Sequence, residues 1–423
     1  MRVAVGQTEV FLSGCSQIAD LEEHVTRGNS LLSFFTSLIP LMMVLRYVYQ
    51  AESWHNSIIR ACLIIDDPLL KKSYGFLNYQ KLLQIMEEKY FCTSIAFIPW
   101  NYRRTKKDVA FLFQKCEDKF SLSVHGCDHT RSEFGSTDET FLRYKAVKAF
   151  ERMTIHQRLT GLPFDKVMIF PQGLFSTFAM NALKSCGYLA AVNSTPYPVD
   201  LEDDSLTLGE LLDVAVTRFS NLSLFVRHYP KNAAEVALDM FLGKPALIVT
   251  HHGFFRDGYL RLAELVSRLN TLEKQLEWNT LEKIISRLCL KRVDEKGDVH
   301  VKFYADRFQL QNDTDLPQKY HLFRRVVSKE PLIGITINGR HVEYEQQTDA
   351  ITIPLSLNAR QAADISIEHS KFDHATVSFR QGRIHQSEIF VRRVLSEFRD
   401  NYVDKSPLLN GVVTHIRHLL PNR

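Results

Sequence analysis

The sequence contains no Cys-x-x-Cys pair. Its seven cysteines, Cys15, Cys62, Cys92, Cys116, Cys127, Cys186 and Cys289, are odd in number and scattered. Neither a disulfide framework nor a thiolate zinc site is signalled. Several lie within apolar segments and read as small buried hydrophobes in a reducing compartment. No charge of one sign predominates: 52 Lys and Arg face 48 Asp and Glu, a formal net charge of +4. The basic residues are dispersed, which argues against nucleic acid as the main partner. No internal repeat and no low-complexity tract is present. Met1–Gly28 contains acids and no continuous apolar core, so the layout of a signal peptide is missing and a cytoplasmic location is expected. Long apolar runs are lacking too. The most apolar stretch, Leu31–Leu45, is about fifteen residues, short of the roughly 20 that a spanning helix needs. It carries Ser33, Thr36, Ser37 and Pro40, and Arg27 and Arg46 bound it. A buried or interfacial helix is expected there and no transmembrane span, with peripheral membrane contact left open.

What is present is ordinary globular material, 45% hydrophobic and 24% charged over 423 residues, enough for two or three domains. Residues 1–57 read as an extension: a short strand within Val3–Leu12, a polar loop and the apolar helix. From residue 58 to 295 apolar strands alternate with amphipathic helices, the pattern of βα units around a parallel sheet. The strands are expected at Ala61–Ile65, Thr93–Pro99, Ser121–His125, Lys166–Phe170, Gly187–Val192 and Ala246–Thr250. Asp213–Thr217 and Leu224–Val226 are shorter candidates. Thr137–Leu159 is the clearest helix. Ser136/Thr137 and Glu139 suit its start, Phe141, Tyr144, Val147 and Phe150 repeat along it, and Gly161 and Pro163 stop it. Six or seven such units fit a barrel or distorted barrel. Over 296–375 the pattern alternates, and Asn338-Gly339 marks a hairpin, so a small antiparallel, sandwich-like β domain is expected. Residues 376–423 return to helix as a tail. Neither the β domain nor the tail shows a motif with chemistry in it.

Polar residues gather at the strand ends. Ile64-Ile65-Asp66-Asp67-Pro68 closes the first strand on two carboxylates, which are costly to hold together unless a cation offsets them. Asp203-Asp204 is a second such pair, but in a polar loop; the buried strand before Asp66-Asp67 sets that pair apart. His125 and His129 stand four apart, a spacing that brings two imidazoles to one metal on a helical turn. With 16 histidines in the chain such a pair also arises by chance, and two polar loop histidines are the bland alternative. The joint arrangement is more specific. Three strand ends carry Asp-Asp, His-x-x-x-His and His251-His252, and a fourth carries Pro171-Gln172-Gly173. In a parallel sheet these converge on one face, where ligands collect. Two histidines and one carboxylate form a catalytic zinc ligand set, with the second acid free as general base and a further histidine as general acid.

In this order the motifs resemble the polysaccharide deacetylases of the NodB-homology type, carbohydrate esterase family 4. Ile64–Pro68 looks like that family's Thr-Phe-Asp-Asp-Gly, and His125–Thr130 like its His-Ser/Thr-x-x-His. Pro171-Gln172-Gly173 is similar to the end of Arg-x-Pro-Tyr-Gly, and Thr250-His251-His252 to the final strand with its histidine. The likeness covers roughly residues 58–290. It implies a distorted (β/α) barrel that hydrolyses acetyl, or related acyl, groups from N-acetylated sugars of a saccharide or polysaccharide. Asp67, His125 and His129 would hold one divalent ion, zinc by the ligand set. Asp66 would be the base, and His251 the acid, or His252 if the strand register is shifted by one. The Gln172 backbone N–H would join the metal in stabilising the oxyanion. The sequence departs from the pattern where Ile169 replaces the arginine that orients the base, Pro68 replaces glycine and Gln172 replaces tyrosine. Arg218, after the Asp213 stretch, is a candidate for the missing arginine, with an ordinary surface residue as the alternative. Trp100, with Tyr102, Arg103 and Arg104, would form a sugar platform or a plain surface loop. Cys127 reads as a buried thiol, not a nucleophile. Two other functions remain open: a catalytically weak carbohydrate-binding protein of the same fold, and an amidohydrolase for a small non-polymeric substrate. Oligomeric state is not legible.

Overall fold

In a computed structural model the apolar stretches form seven parallel strands: β1 Arg60–Asp66, β2 Thr93–Phe97, β3 Phe120–His125, β4 Asp165–Ile169, β5 Ala190–Asn193, β6 Leu224–Val226 and β7 Ala246–His251. The structure describes residues 2–6, 8–12, 14, 17–327, 332–369 and 383–406. Hydrogen bonding runs β6-β5-β4-β3-β2-β1-β7, parallel throughout. The two ends of this path meet where His228 pairs with Ile248; the His228 N–H donates to Leu247 O and the Val249 N–H to His228 O, each at 2.9 Å. The barrel is thereby nearly closed. Its strands are buried along their length, as expected of a parallel sheet covered on both faces.

Helices flank the strands: α1 Phe35–Tyr49, α2 Tyr79–Lys89, α3 Lys107–Lys115, α4 Glu139–Thr160, α5 Thr177–Ser185, α6 Ala233–Phe241, α7 Leu260–Leu272 and α8 Leu281–Arg287. The long helix differs from expectation at its start and along its face. Asp138, not Ser136 or Thr137, caps α4, accepting the Phe141 N–H at 3.0 Å. Its buried residues are Leu142, Lys145, Ala146, Val147, Ala149, Met153 and His156, so of the expected repeat only Val147 is buried. The repeat of three through Phe141, Tyr144 and Phe150 drifts off a face that needs alternating steps of three and four. Asp213–Thr217 is not a strand. A short helix, Leu208–Leu212, precedes it, and only an isolated antiparallel bridge joins Val216 to Leu224. The cysteines among the described residues are free, and Cys62, Cys92, Cys127, Cys186 and Cys289 are buried.

The apolar N-terminal helix is not a core helix. With its flanking turns it forms a helical run of 22 residues, Leu31–Glu52, long and apolar enough to cross a membrane by length and composition. Only Leu38 and Ile39 are buried in it, against Leu238 and Leu242 at the end of α6.

After the barrel come two facing sheets. One runs Cys289–Val293, Val299–Phe303, Gln318–Arg325, Ala350–Leu357 and Glu345–Gln346; the other runs Arg307–Gln311, Ala362–His369, Leu332–Ile337 and Arg340–His341. Phe303, Phe308, Leu322, Ile335, Ile353 and Ile365 pack between them, so the β domain is a sandwich. Asn338 and Gly339 sit at positive φ in the expected hairpin turn. Asp306 fastens sandwich to barrel, facing Lys184 of α5 and Arg324 of the sandwich. Burial would raise the Asp306 carboxyl, but Arg324 and Lys184 hold it far below the ordinary range. The tail enters as helix α9, Arg383–Phe398, continued by a wider turn, Arg399–Val403, that lies against the barrel mouth. The rest of the expected tail, 376–382 and 407–423, falls outside the described residues.

Candidate metal centre

Asp66 is the last residue of β1 and Asp67 the first beyond it. Asp67 takes a left-handed backbone (φ 76°), a conformation that aspartate tolerates better than most residues. The turn separates the two carboxylates. Asp67 Oδ1 lies 3.3 Å from His125 Nε2 and 3.1 Å from His129 Nε2. His125 ends β3, and its Nδ1 sits 3.0 Å from the Ile169 carbonyl. That contact fixes the proton on Nδ1 and leaves Nε2 as a ligand atom.

One atom tests the fit of a cation. Asp67 Oδ1 is buried and makes no hydrogen bond, and the ligand atoms of Asp67, His125 and His129 all lie within 4.8 Å of one another. A buried, unpaired carboxylate oxygen facing two imidazole nitrogens matches the two-histidine, one-carboxylate donor set of a divalent ion. Burial would raise the Asp67 carboxyl, but His129 and His125 hold it well below the usual range.

The histidine loop is held from beneath. Glu133 accepts the backbone N–H groups of Cys127, Asp128 and His129 at 2.9, 3.1 and 3.0 Å. Lys145 of α4, fully buried, lies 2.5 Å from Asp128 and 3.6 Å from Glu133, and Arg152 reaches Asp128 at 2.5 Å. Gly126 is required here. Its φ is +65°, and a Cβ would collide with Glu133 Oε1 and Pro171 Cγ. A lysine in helical sequence reads as solvent-facing, so this network carried no signal. Burial of the Cys127 thiol pushes its pKa up, as expected of an inert cysteine.

Asp66 points elsewhere. Arg227, one residue past β6, grips it with both terminal nitrogens, Nη1 to Oδ1 at 2.6 Å and Nη2 to Oδ2 at 2.7 Å. Both side chains are buried. Burial would raise the Asp66 carboxyl; Arg227 and then His125 outweigh it, and the net direction is down. The expectation for Arg218 fails: it is exposed and pairs with Glu210 at 3.1 Å. The signal for Arg227 was available, because it follows the apolar trio Leu224-Phe225-Val226 as Asp66 follows Ile64-Ile65.

His251 and His252 part company at the end of β7. His251 Nε2 lies 4.0 Å from Asp66 Oδ2, its ring parallel to Tyr229 and its side chain 43% exposed. His252 is buried between Tyr74 and Phe76, with Nε2 3.5 Å from Asp400 in the turn after α9. Of the two, only His251 is placed beside Asp66. Gln172 occupies a left-handed turn after β4 (φ 59°), and its side chain accepts the Ser132 N–H at 3.3 Å. Trp100 follows β2, but its ring has Arg104 on it at 5.6 Å and Phe390 of α9 at 6.2 Å.

The tail, silent in sequence, therefore forms part of the rim. Asp400 accepts the Tyr74 hydroxyl at 2.6 Å, Asn401 accepts the Gly75 N–H at 3.0 Å, and Glu397 faces both Lys71 and Arg104. His252, Asp400 and Asp404 also bring ligand atoms within 4.8 Å of one another. Asp400 is already engaged by Tyr74 and by Arg399 at 2.9 Å, so this group is an ion cluster that fastens the tail.

A nearly closed seven-stranded parallel barrel with an Asp-His-His centre and a separate Asp-Arg pair at the carboxyl ends of its strands defines the class of site. No protein-family model and no curated protein matches the chain. Solved structures similar to it include a putative polysaccharide deacetylase from Mycobacterium smegmatis, 14% identical, covering 55% of this chain and 91% of that one, TM-score 0.38. A family 4 carbohydrate esterase from Streptomyces lividans in complex with acetate is 11% identical, over 53% and 94%, TM-score 0.33. A pseudoenzyme of the same esterase family from Bacillus anthracis is 8% identical, over 52% and 64%, TM-score 0.32.

Proposed function

We propose that the protein is a metal-dependent hydrolase that removes acetyl, or closely related acyl, groups from the nitrogen of amino sugars in a saccharide or polysaccharide. The observation that carries this reading is the division of labour between two adjacent carboxylates. Asp67 Oδ1 shares an unbonded focus with His125 and His129, while Asp66 is held apart by Arg227 and faces His251.

A divalent ion, zinc by the donor set, would be held by Asp67, His125 and His129. When bound it would polarise the substrate carbonyl and acidify water. Asp66, kept ionised and fixed in orientation by Arg227, accepts the proton of the attacking water as that water's oxygen bonds to the acyl carbon. His251, exposed enough to stay solvated, donates its Nε2 proton to the sugar nitrogen as the C–N bond breaks. The products are a carboxylic acid, which keeps one proton of the water, and a free amine, which carries the proton from His251; the other water proton, left on Asp66, then passes to His251 and restores both groups. The backbone N–H of Gln172, in its left-handed turn, is the group assigned to the oxyanion.

The test is amine release from N-acetylated chito-oligosaccharides by the metal-loaded protein. Wild type should turn over, Asp66→Asn should lose at least about a hundredfold in kcat with metal retained, and Asp67→Ala should lose metal and activity together. Retained activity in Asp66→Asn would show that Asp66 is not the base.

A further inference from the structure

Helix α1 is apolar on nearly every side. From Leu31 to Ala51 there is no acidic residue, and Arg46 is the sole charge. A helix of that composition belongs in a protein core or in lipid. Here one side is used: Leu38 and Ile39 pack on Leu238 and Leu242, and Arg46 donates to the Phe241 carbonyl at 2.6 Å. The helix is therefore fastened to the barrel at the carboxyl end of α6. The N-terminal hairpin covers Tyr47, whose ring meets Phe11 and Arg2, but Leu41, Met43, Leu45 and Val48 stay exposed, Met43 58% and Val48 56%. Contiguous apolar surface of this kind marks an interaction site. Tyr49 and Trp54 lie towards its carboxyl end, where aromatic rings suit a membrane–water boundary. A protein partner would cover one more side of the helix; a lipid interface accommodates all that remain.

A second observation connects this helix to the site. A cavity of about 260 Å³ is lined by Ser30 and Leu31, which open the helical run, and also by Arg227 and Tyr229, the partners of Asp66 and His251. Leu211 and Leu238 give it apolar wall.

We propose that α1 seats the protein in the interfacial plane of a bilayer and thereby directs the Asp66 site to amino sugars carried on lipid. The substrate half of this inference rests on the deacylase reading; the docking half does not.

The test uses the full chain and vesicles of dioleoylphosphatidylcholine with one third dioleoylphosphatidylglycerol. Wild type should float with the vesicles. Leu41→Asp/Val48→Asp should bind at least about tenfold less, with an unchanged thermal melt because both positions face outward. A wild type that stays behind, or that scatters light as a dimer which the double variant splits, overturns docking and assigns the face to a second copy. On vesicles bearing an N-acetylglucosaminyl lipid, wild type should act at least about tenfold faster than on soluble chitotetraose. The double variant should lose that preference and keep the soluble rate. Flotation without such a preference overturns the lipid-linked substrate. If no acylated sugar is hydrolysed at all, the deacylase reading fails and takes the substrate half with it, while flotation still decides docking.

Discussion

Arg227 and Asp66 face each other as a bidentate pair, 2.6 and 2.7 Å, across the mouth of the barrel. They come from strands well separated in the hydrogen-bonded order, β1 and the end of β6, and meet because the sheet curls back on itself. Lysine cannot reproduce the fork. Arg227→Lys should lower kcat about tenfold to a hundredfold, the effect of losing one charge-assisted contact of about 1.5–3 kcal/mol. Arg218→Ala should leave the rate unchanged, because its partner Glu210 lies away from the site. Steady-state kinetics on the same oligosaccharide compares the two directly; equal losses would disprove the assignment.

Glu133 does not reach the focus of Asp67, His125 and His129, yet it ties down the three N–H groups that shape the loop. Glu133→Gln keeps the size but halves the acceptors and removes a partner of Lys145. Metal affinity should fall about 10–100-fold, the usual effect of losing support behind a ligand. Equilibrium dialysis against zinc gives the constant.

Lys145→Met removes the buried cation that Asp128 and Glu133 share. Breaking a buried ion network from one side costs about 3–5 kcal/mol. Urea unfolding should show a loss of that size, far beyond that of a surface Lys148→Met control.

Two buried groups set opposing pH dependences. His156, packed on Phe97, is pushed down to about 4 by burial. Its folded value lies below its unfolded one, so its contribution is present above about pH 6.5 and is lost as pH falls towards 4. Asp165 is pushed up to about 7 by burial and by Glu282. Its contribution is complete below about pH 4 and is lost as pH rises through 7. Urea midpoints from pH 4 to 8 should show His156→Gln flattening the acid side. Asp165→Asn should gain on wild type as pH rises to 8. A pH-independent difference in either case would contradict the burial argument.

Much of the site was legible because parallel strands announce their own ends. An apolar run that stops on Asp66, on His125 or on His251 places each group at one rim. Arg227 obeys the same rule at the end of the short strand expected at Leu224–Val226, but the residue after that strand was not read as part of the rim. Lys145 and Glu133 were silent for a different reason. Charged residues on a helix or loop look solvated until their partners, Asp128 and the histidine-loop N–H groups, are known in space. The tail was the largest omission: Asp400 and Glu397 gain meaning only from Tyr74, Lys71 and Arg104, some three hundred residues earlier in the chain. The fifteen most apolar residues, Leu31–Leu45, understate the reach of this helical run, because it continues past Leu45 to Glu52.

The central claim is that Asp67, His125 and His129 hold one divalent ion. Elemental analysis of gently purified protein, after dialysis against trace zinc, measures it most directly. The account predicts about one ion per chain in wild type and in Arg218→Ala, and at least about tenfold less in Asp67→Ala and His125→Ala. A wild type that stays metal-free, or an Asp67→Ala that keeps its ion, would contradict it.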